Sequence, residues 1–197
     1  MFYKGHMIYI VSNNSIGIGS GGMETLKAIA KRKSTRAFSP GKRIDQAELD
    51  TILAAGCAAP VGRGDYPSLH LTVIQDAETL EKINKVVQET LATDQSLFYN
   101  APVLVLVSAS EQQVTQNIQY ANTACIVENM LLAATDFGIG SVFLWKLPSV
   151  IADNADLCEQ LNFPDGFKPV SAAAFGYAIE EDPGEKELSV TLSLTSI

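Results

Sequence analysis

The chain has 197 residues, 47% apolar and 18% charged, with 14 basic against 22 acidic side chains and a formal net charge of −8. That length supports one domain with a buried core. The acidic balance argues against general nucleic-acid binding, which runs on phosphate neutralisation by a basic face, and no apolar run approaches the roughly 18 residues a membrane helix requires.

The N-terminal stretch, residues 1–22, reads "MFYKGHMIYIVSNNSIGIGSGG" and differs in texture from the rest of the chain. It is expected to be a flexible leader ahead of a domain spanning 23–197. Gly17, Gly19 and Gly22 spell G-x-G-x-x-G between an apolar stretch and a helical pattern, the spacing of a dinucleotide fingerprint. Against that reading, "SNNSI" intervenes where the turn should be immediate, and no second strand ending in an acid comes at the required distance. The opening has no small-residue cleavage site, so a cytoplasmic location is expected.

A first helix is predicted over Glu24–Lys33, with Leu26, Ile29 and Ala30 on one face. A second begins at Asp45 as N-cap with Glu48 as capping-box partner, buries Leu49, Ile52 and Leu53, and ends before Pro60. "SLHLTVIQ" alternates as a strand and "DAETLEKINKVVQETL" repeats as an amphipathic helix. "APVLVLVSA" is a continuous apolar run, the pattern of a strand buried on both faces. A long helix over 112–137 closes at Gly138, with Glu128 in its apolar stretch expected to be buried against a basic or backbone partner. Then come a strand at "GSVFLW", a helix around 149–161, a strand at "PVSAAAFGYA" and a β-prone tail, "ELSVTLSLTSI". The interleaving gives an α+β or α/β class, one sheet flanked by helices.

Cys57, Cys125 and Cys158 are widely spaced without a C-x-x-C pair, which suits small buried thiols in a reducing compartment. With only His6 and His70 besides, no metal-ligand spacing is present.

The octet "KRKSTRAF", Lys31 to Phe38, gathers four cations in an acidic chain. Placed at and beyond the end of the first helix, one or two of them are explained by the helix dipole. The rest need acidic neighbours, a solvated face, or a bound phosphate gripped by arginine forks and a lysine charge, with Ser34 adding a donor.

"IAKRKSTRAF", followed by a capped helix ending in "AAP", resembles the opening of the FMN-dependent nitroreductase family. "LHLTVIQDAETLEKI", "NAPVLVLVSA", "ENMLLAATDFGIGSVFLW" and "FKPVSAAAFGYA" are similar to later family segments in the same order, over roughly Met23 to Lys186. The resemblance implies an α+β fold with a central mixed β-sheet flanked by helices, an intertwined homodimer, and FMN at the subunit interface. It also implies that Arg32, Lys33, Ser34 and Arg36 hold the phosphate, ribityl chain and pyrimidine edge. Pro60, Val61, Gly62, Arg63 and Gly64 match the loop reaching the flavin from the partner. Phe143, Leu144 and Trp145, continuing to Lys146, match the stretch along the isoalloxazine ring, where backbone groups do the hydrogen bonding. Phe143 and Trp145 also read as ordinary core aromatics. Lys186 stands where the family returns basic residues to the phosphate.

The implied activity is hydride transfer from NADH or NADPH to a small planar acceptor (a nitroaromatic, quinone or flavin) in a ping-pong cycle, with the chemistry carried by FMN rather than by a protein nucleophile or metal. Where the family commonly has Asn, Gln and Trp after its Ala-Pro, this chain reads "VGRGDYPS", which alters the pocket. A non-catalytic flavin-binding module for storage or sensing is the alternative.

Overall fold

The computed structural model describes residues 23–111, 117–179, 184–189 and 191–196. The leader and its glycine fingerprint lie outside the described residues.

Six α-helices and four strands interleave along the described residues. Helix α1 (Thr25–Lys31) leads to α2 (Gln46–Cys57), β1 (Leu69–Ile74) and α3 (Ala77–Leu91). Strand β2 (Val103–Ser110), helix α4 (Ile118–Asp136) and strand β3 (Gly140–Leu144) come next, then α5 (Leu147–Ala152), α6 (Ala155–Leu161) and β4 (Phe167–Gly176). The strands stand in the order β1-β2-β4-β3 and pair antiparallel throughout, while a single parallel bridge joins Ser34 to Ser141 of β3. The class is therefore α+β.

The apolar run of β2 does what its composition dictates. Val103 to Ala109 are all buried, and alternate side chains serve opposite faces of the sheet. Leu104 and Leu106 pack with Val142, Leu144, Ala172 and Ala174 under α3, α5 and α6. Val103, Val105 and Val107 pack with Ala173 and Phe175 under α2 and α4. Helices thus cover both faces, and each large buried side chain contributes about 1.5–3 kcal/mol of transfer free energy.

Local signals set the helix ends. Asp45 caps α2 by accepting from Ala47 N at 2.9 Å, and its expected partner Glu48 instead accepts from the Tyr177 hydroxyl at 3.3 Å. Helix α4 ends in paired bonds, Ile139 N to Ala134 O at 2.8 Å and Gly138 N to Thr135 O at 3.0 Å. Gly138 takes the left-handed conformation (φ +68°) that this closure requires. Helix α1 stops two residues short of expectation, because the backbone beyond Lys31 goes extended and Thr35 N donates to Ser141 O at 2.9 Å. The helix expected around 149–161 is two helices, since the Asn154 side chain accepts from Leu157 N at 2.9 Å and starts a new one. The start of the long helix falls partly outside the described residues. The described tail residues form no ladder within the chain, and Leu188, Leu192 and Leu194 are exposed.

Candidate functional site

The octet is an extended strap bound at both ends to the body of the fold. At its start Arg32 N donates to Ala28 O at 2.9 Å and completes α1. In the middle Ser34 and Thr35 pair with Ser141. At its end Phe38 is buried in the core and bridges Ala178, with Ile179 N on Ala37 O at 3.1 Å and Ser39 N on Tyr177 O at 2.7 Å.

Extended backbone sends successive side chains to opposite sides, so the strap sorts its cations. Lys31, Lys33, Thr35 and Ser39 line a cavity of about 480 Å³ with Lys42 and Tyr177. Lys42 Nζ sits 3.6 Å from the Tyr177 ring centroid, and burial, then the Glu48 carboxylate, push the Tyr177 phenol above its ordinary value. The alternate set is Arg32, Ser34 and Arg36. Arg32 Nε meets Glu128 Oε1 of α4 at 3.4 Å, and Arg36 Nη1 approaches Ser34 O at 3.5 Å. Glu128 has its expected basic partner but is not buried: its side chain is 50% exposed, because α4 turns that face outward beside the strap. An exposed pair of this kind adds little stability.

Close approach makes the strap possible. A Cβ on Gly140 would come within 2.9 Å of both Thr35 side-chain branches and 3.0 Å of Gly176 O. Neither Gly140 nor Thr35 stands out in the sequence as a site residue. Thr35 is 1% exposed, and its hydroxyl has no hydrogen-bond partner among the described residues.

The loop Pro60–Gly64 packs on α4 elsewhere. Gly62 N donates to Asn122 Oδ1 at 3.0 Å, and Tyr66 Oη donates to Ala59 O at 3.0 Å across the base of the loop. Arg63 and Gly64 take left-handed backbone (φ +61° and +66°), and Arg63 is exposed. Asn122 and Glu128 are about 120° apart around the helix at 100° per residue, so the loop and the arginine side of the strap meet different faces of α4. Asn122 is a buried polar residue in an apolar helix, the one signal by which sequence could have found the loop's anchor.

The stretch from the end of β3 onward divides as well. Leu144 is buried and Phe143 half-buried, so Leu144 can offer a site only its backbone. Trp145 is not a core aromatic: it is 77% exposed. Lys186 is exposed, and its backbone N donates to Ala30 O at 2.9 Å, bringing the tail back beside the end of α1.

The cysteines depart from expectation. Cys57 and Cys125 are exposed, and Cys158 is half-buried with its Sγ donating to Ile151 O at 3.3 Å. No cluster able to hold a metal ion occurs among the described residues. No helix there is long and apolar enough to cross a membrane.

Two arginines and a serine thus ride a strap bound to β3, the outer strand of a sheet covered by helices on both faces. The Nitroreductase family model matches residues 29–177. The chain belongs to the nitroreductase family. A nitroreductase relative from Archaeoglobus fulgidus, named "Putative NADH dehydrogenase/NAD(P)H nitroreductase", is 30% identical over 160 residues, covering 80% of this chain and 87% of its own. Among solved structures, the nitroreductase of Bacteroides fragilis with bound FMN superposes with a TM-score of 0.77 at 28% identity, covering 89% of this chain and 99% of that one. The nitroreductase of Desulfitobacterium hafniense with bound FMN gives a TM-score of 0.76 at 21% identity over 88% and 100% of the two chains, a likeness of fold.

Proposed function

We propose that this nitroreductase-family protein is an FMN-dependent oxidoreductase that draws hydride from NADH or NADPH and passes electrons to a small planar acceptor in a ping-pong cycle. The observation that carries the reading is the strap itself: Arg32, Ser34 and Arg36 alternate along an extended segment fixed to β3. Two guanidiniums and a hydroxyl are the donor set that a phosphate monoester dianion requires, and the salt bridge through Arg32 Nε occupies one of three guanidinium nitrogens. The residues therefore fit FMN. The FMN-bound relative from Bacteroides fragilis supports the same assignment.

FMN, when bound, supplies the redox chemistry; the chain supplies position, electrostatics and exclusion of water. In this reading Arg32, Ser34 and Arg36 hold the phosphate and the neighbouring polar chain, with Lys33 and Lys186 adding positive potential from the flanks. The backbone of Phe143–Lys146 lies along the ring system, and Pro60–Gly64 serves the site of a second copy. Two features support a homodimer: the loop and the strap arginines address different faces of α4, and the tail carries three exposed leucines, Leu188, Leu192 and Leu194. A cytoplasmic location completes the proposal.

The test is a visible spectrum of the purified protein before and after anaerobic NADPH or NADH. Flavin bands that bleach establish cofactor and donor together, while bands that persist leave a flavin-binding module. Arg32→Ala with Arg36→Ala is expected to lose FMN with an unchanged circular dichroism spectrum. Stoichiometric FMN in that variant refutes the assigned phosphate site.

A further inference from the structure

The strap that carries the arginines has a second side. Lys31 at the end of α1, Lys33 on the strap and Lys42 in the segment before α2 line the one cavity of about 480 Å³. None of Arg32, Ser34 and Arg36 is on that lining, as the alternation of extended backbone requires. Asp136 is the one carboxylate among the described lining residues, and it accepts a hydrogen bond from the Met23 backbone N. Three ammonium groups thus face one carboxylate in a chain whose net charge is −8.

The wall is built to hold these charges in place. Lys42 Nζ lies 3.6 Å from the centroid of the Tyr177 ring, a contact that keeps the ammonium against the cavity. The two carboxylates that act on that phenol already accept hydrogen bonds, Glu48 from Tyr177 Oη at 3.3 Å and Asp45 from Ala47 N at 2.9 Å. Two hydroxyls share the lining. Ser39 Oγ reaches Ala178 O at 3.5 Å, long for a hydroxyl donor, and the Thr35 hydroxyl is buried with no partner among the described residues. Ammonium groups beside a weakly held hydroxyl suit phosphoryl oxygens. An excess of two positive charges over Asp136 matches a phosphate monoester, which carries close to two negative charges, better than a single carboxylate. The volume lies in the range of small-molecule sites and exceeds what a bare phosphate fills.

We propose that the lysine side of the strap binds a phosphorylated small molecule distinct from the flavin, with Lys31, Lys33 and Lys42 facing its phosphoryl group. The strap is then double-sided, with arginines toward one phosphate and lysines toward another. The first half of that statement rests on the flavin reading above; the second does not.

Isothermal titration of inorganic pyrophosphate into the FMN-saturated protein, and into the variant carrying Arg32→Ala and Arg36→Ala, tests this directly. The two dissociation constants are expected to agree. Each is expected to rise roughly tenfold in Lys31→Gln and in Lys42→Gln, the loss of one charge-assisted contact. Lys33 is left in place because it also flanks the arginines, and Lys82→Gln, on α3, leaves the constant unchanged. Ribose 5-phosphate is expected to displace the pyrophosphate, and ribose is not. The proposal is overturned by the absence of saturable binding below about 10 mM, by equal affinity in the parent and both lysine variants, or by loss of binding in the arginine variant. Failure of ribose 5-phosphate to compete overturns the assignment to phosphorylated molecules. A parent protein that takes up no FMN sinks the flavin reading, and the flavin-free parent compared with the arginine variant still decides this one.

Discussion

Replacing Gly140 by alanine tests whether the strap depends on its close seat against β3. The added Cβ would lie 2.8 Å from Thr35 Oγ1, 2.9 Å from Thr35 Cγ2 and 3.0 Å from Gly176 O. Comfortable carbon contacts begin near 3.5 Å, so something must retreat by about half an ångström or more. Thr35 is poorly able to do so by rotation: it is buried, and both branches of its stiff β-branched side chain face the new atom. Overpacking of this kind costs about 1–3 kcal/mol. If the strap lifts instead, the Thr35 N to Ser141 O bond is weakened, and a net hydrogen bond is worth about 1 kcal/mol. By either route the cost is about 1–3 kcal/mol, which at about 2 kcal/mol per molar urea lowers the unfolding midpoint by roughly 0.5–1.5 M. Urea denaturation followed by circular dichroism measures it. Adding Thr35→Ala to Gly140→Ala removes both nearest contacts and is expected to recover at least half the loss. A midpoint unmoved by Gly140→Ala, or a double variant no better than the single one, refutes the reasoning.

Asp45→Ala removes the side-chain acceptor of Ala47 N and is expected to cost about 1 kcal/mol, seen as a fall of about 2–4 °C in thermal unfolding. Ile83→Ala empties a fully buried position on the sheet-facing side of α3 and should cost about 2–5 kcal/mol in urea denaturation, with Ile83→Val at about 0.5–1.5 kcal/mol; equal effects would contradict the packing. Burial lowers the His70 pKa below its ordinary 6.5. On acidification from pH 6.5 towards the folded-state value the unfolded chain therefore binds more protons, and stability falls, while above that window the effect vanishes. His70→Gln should flatten the stability profile in that interval alone, and an unaltered slope there would count against the assignment.

The elements that sequence predicted well are those whose burial is written in their own residues. "VLVLVSA" names a strand covered on both faces, and Asp45 and Gly138 mark helix ends through bonds made within a few residues. What sequence could not supply depends on contacts across the chain. The break at Asn154 looks like any polar residue in a helical pattern until its side chain is seen to cap α6. The exposure of Glu128 depends on which side of α4 meets the strap, and "VENMLL" does not specify that. The sorting of the octet into an arginine side and a lysine side emerges only once Ser34 and Thr35 are known to pair with Ser141. The octet was visible as a charged cluster; its division was not. Trp145 fits a core pattern as well as an exposed one, and only its exposure in the folded chain distinguishes the two.

The sheet has a kinetic consequence. None of its ladders is closed by a hairpin: β1 reaches β2 through α3, and β2 waits for β4 until α4, β3, α5 and α6 have been placed, so that Val105 comes to lie opposite Ala173. Local encounters can make the helices quickly, but the two central strands gain their partners only after long loops close, the situation in which folding slows. Until then "VLVLVSA" is an unpaired, uncharged, β-prone segment and the stretch of this chain most apt to pair with its neighbours during refolding. The same residues that make the interior of the finished molecule are the reason to refold it dilute.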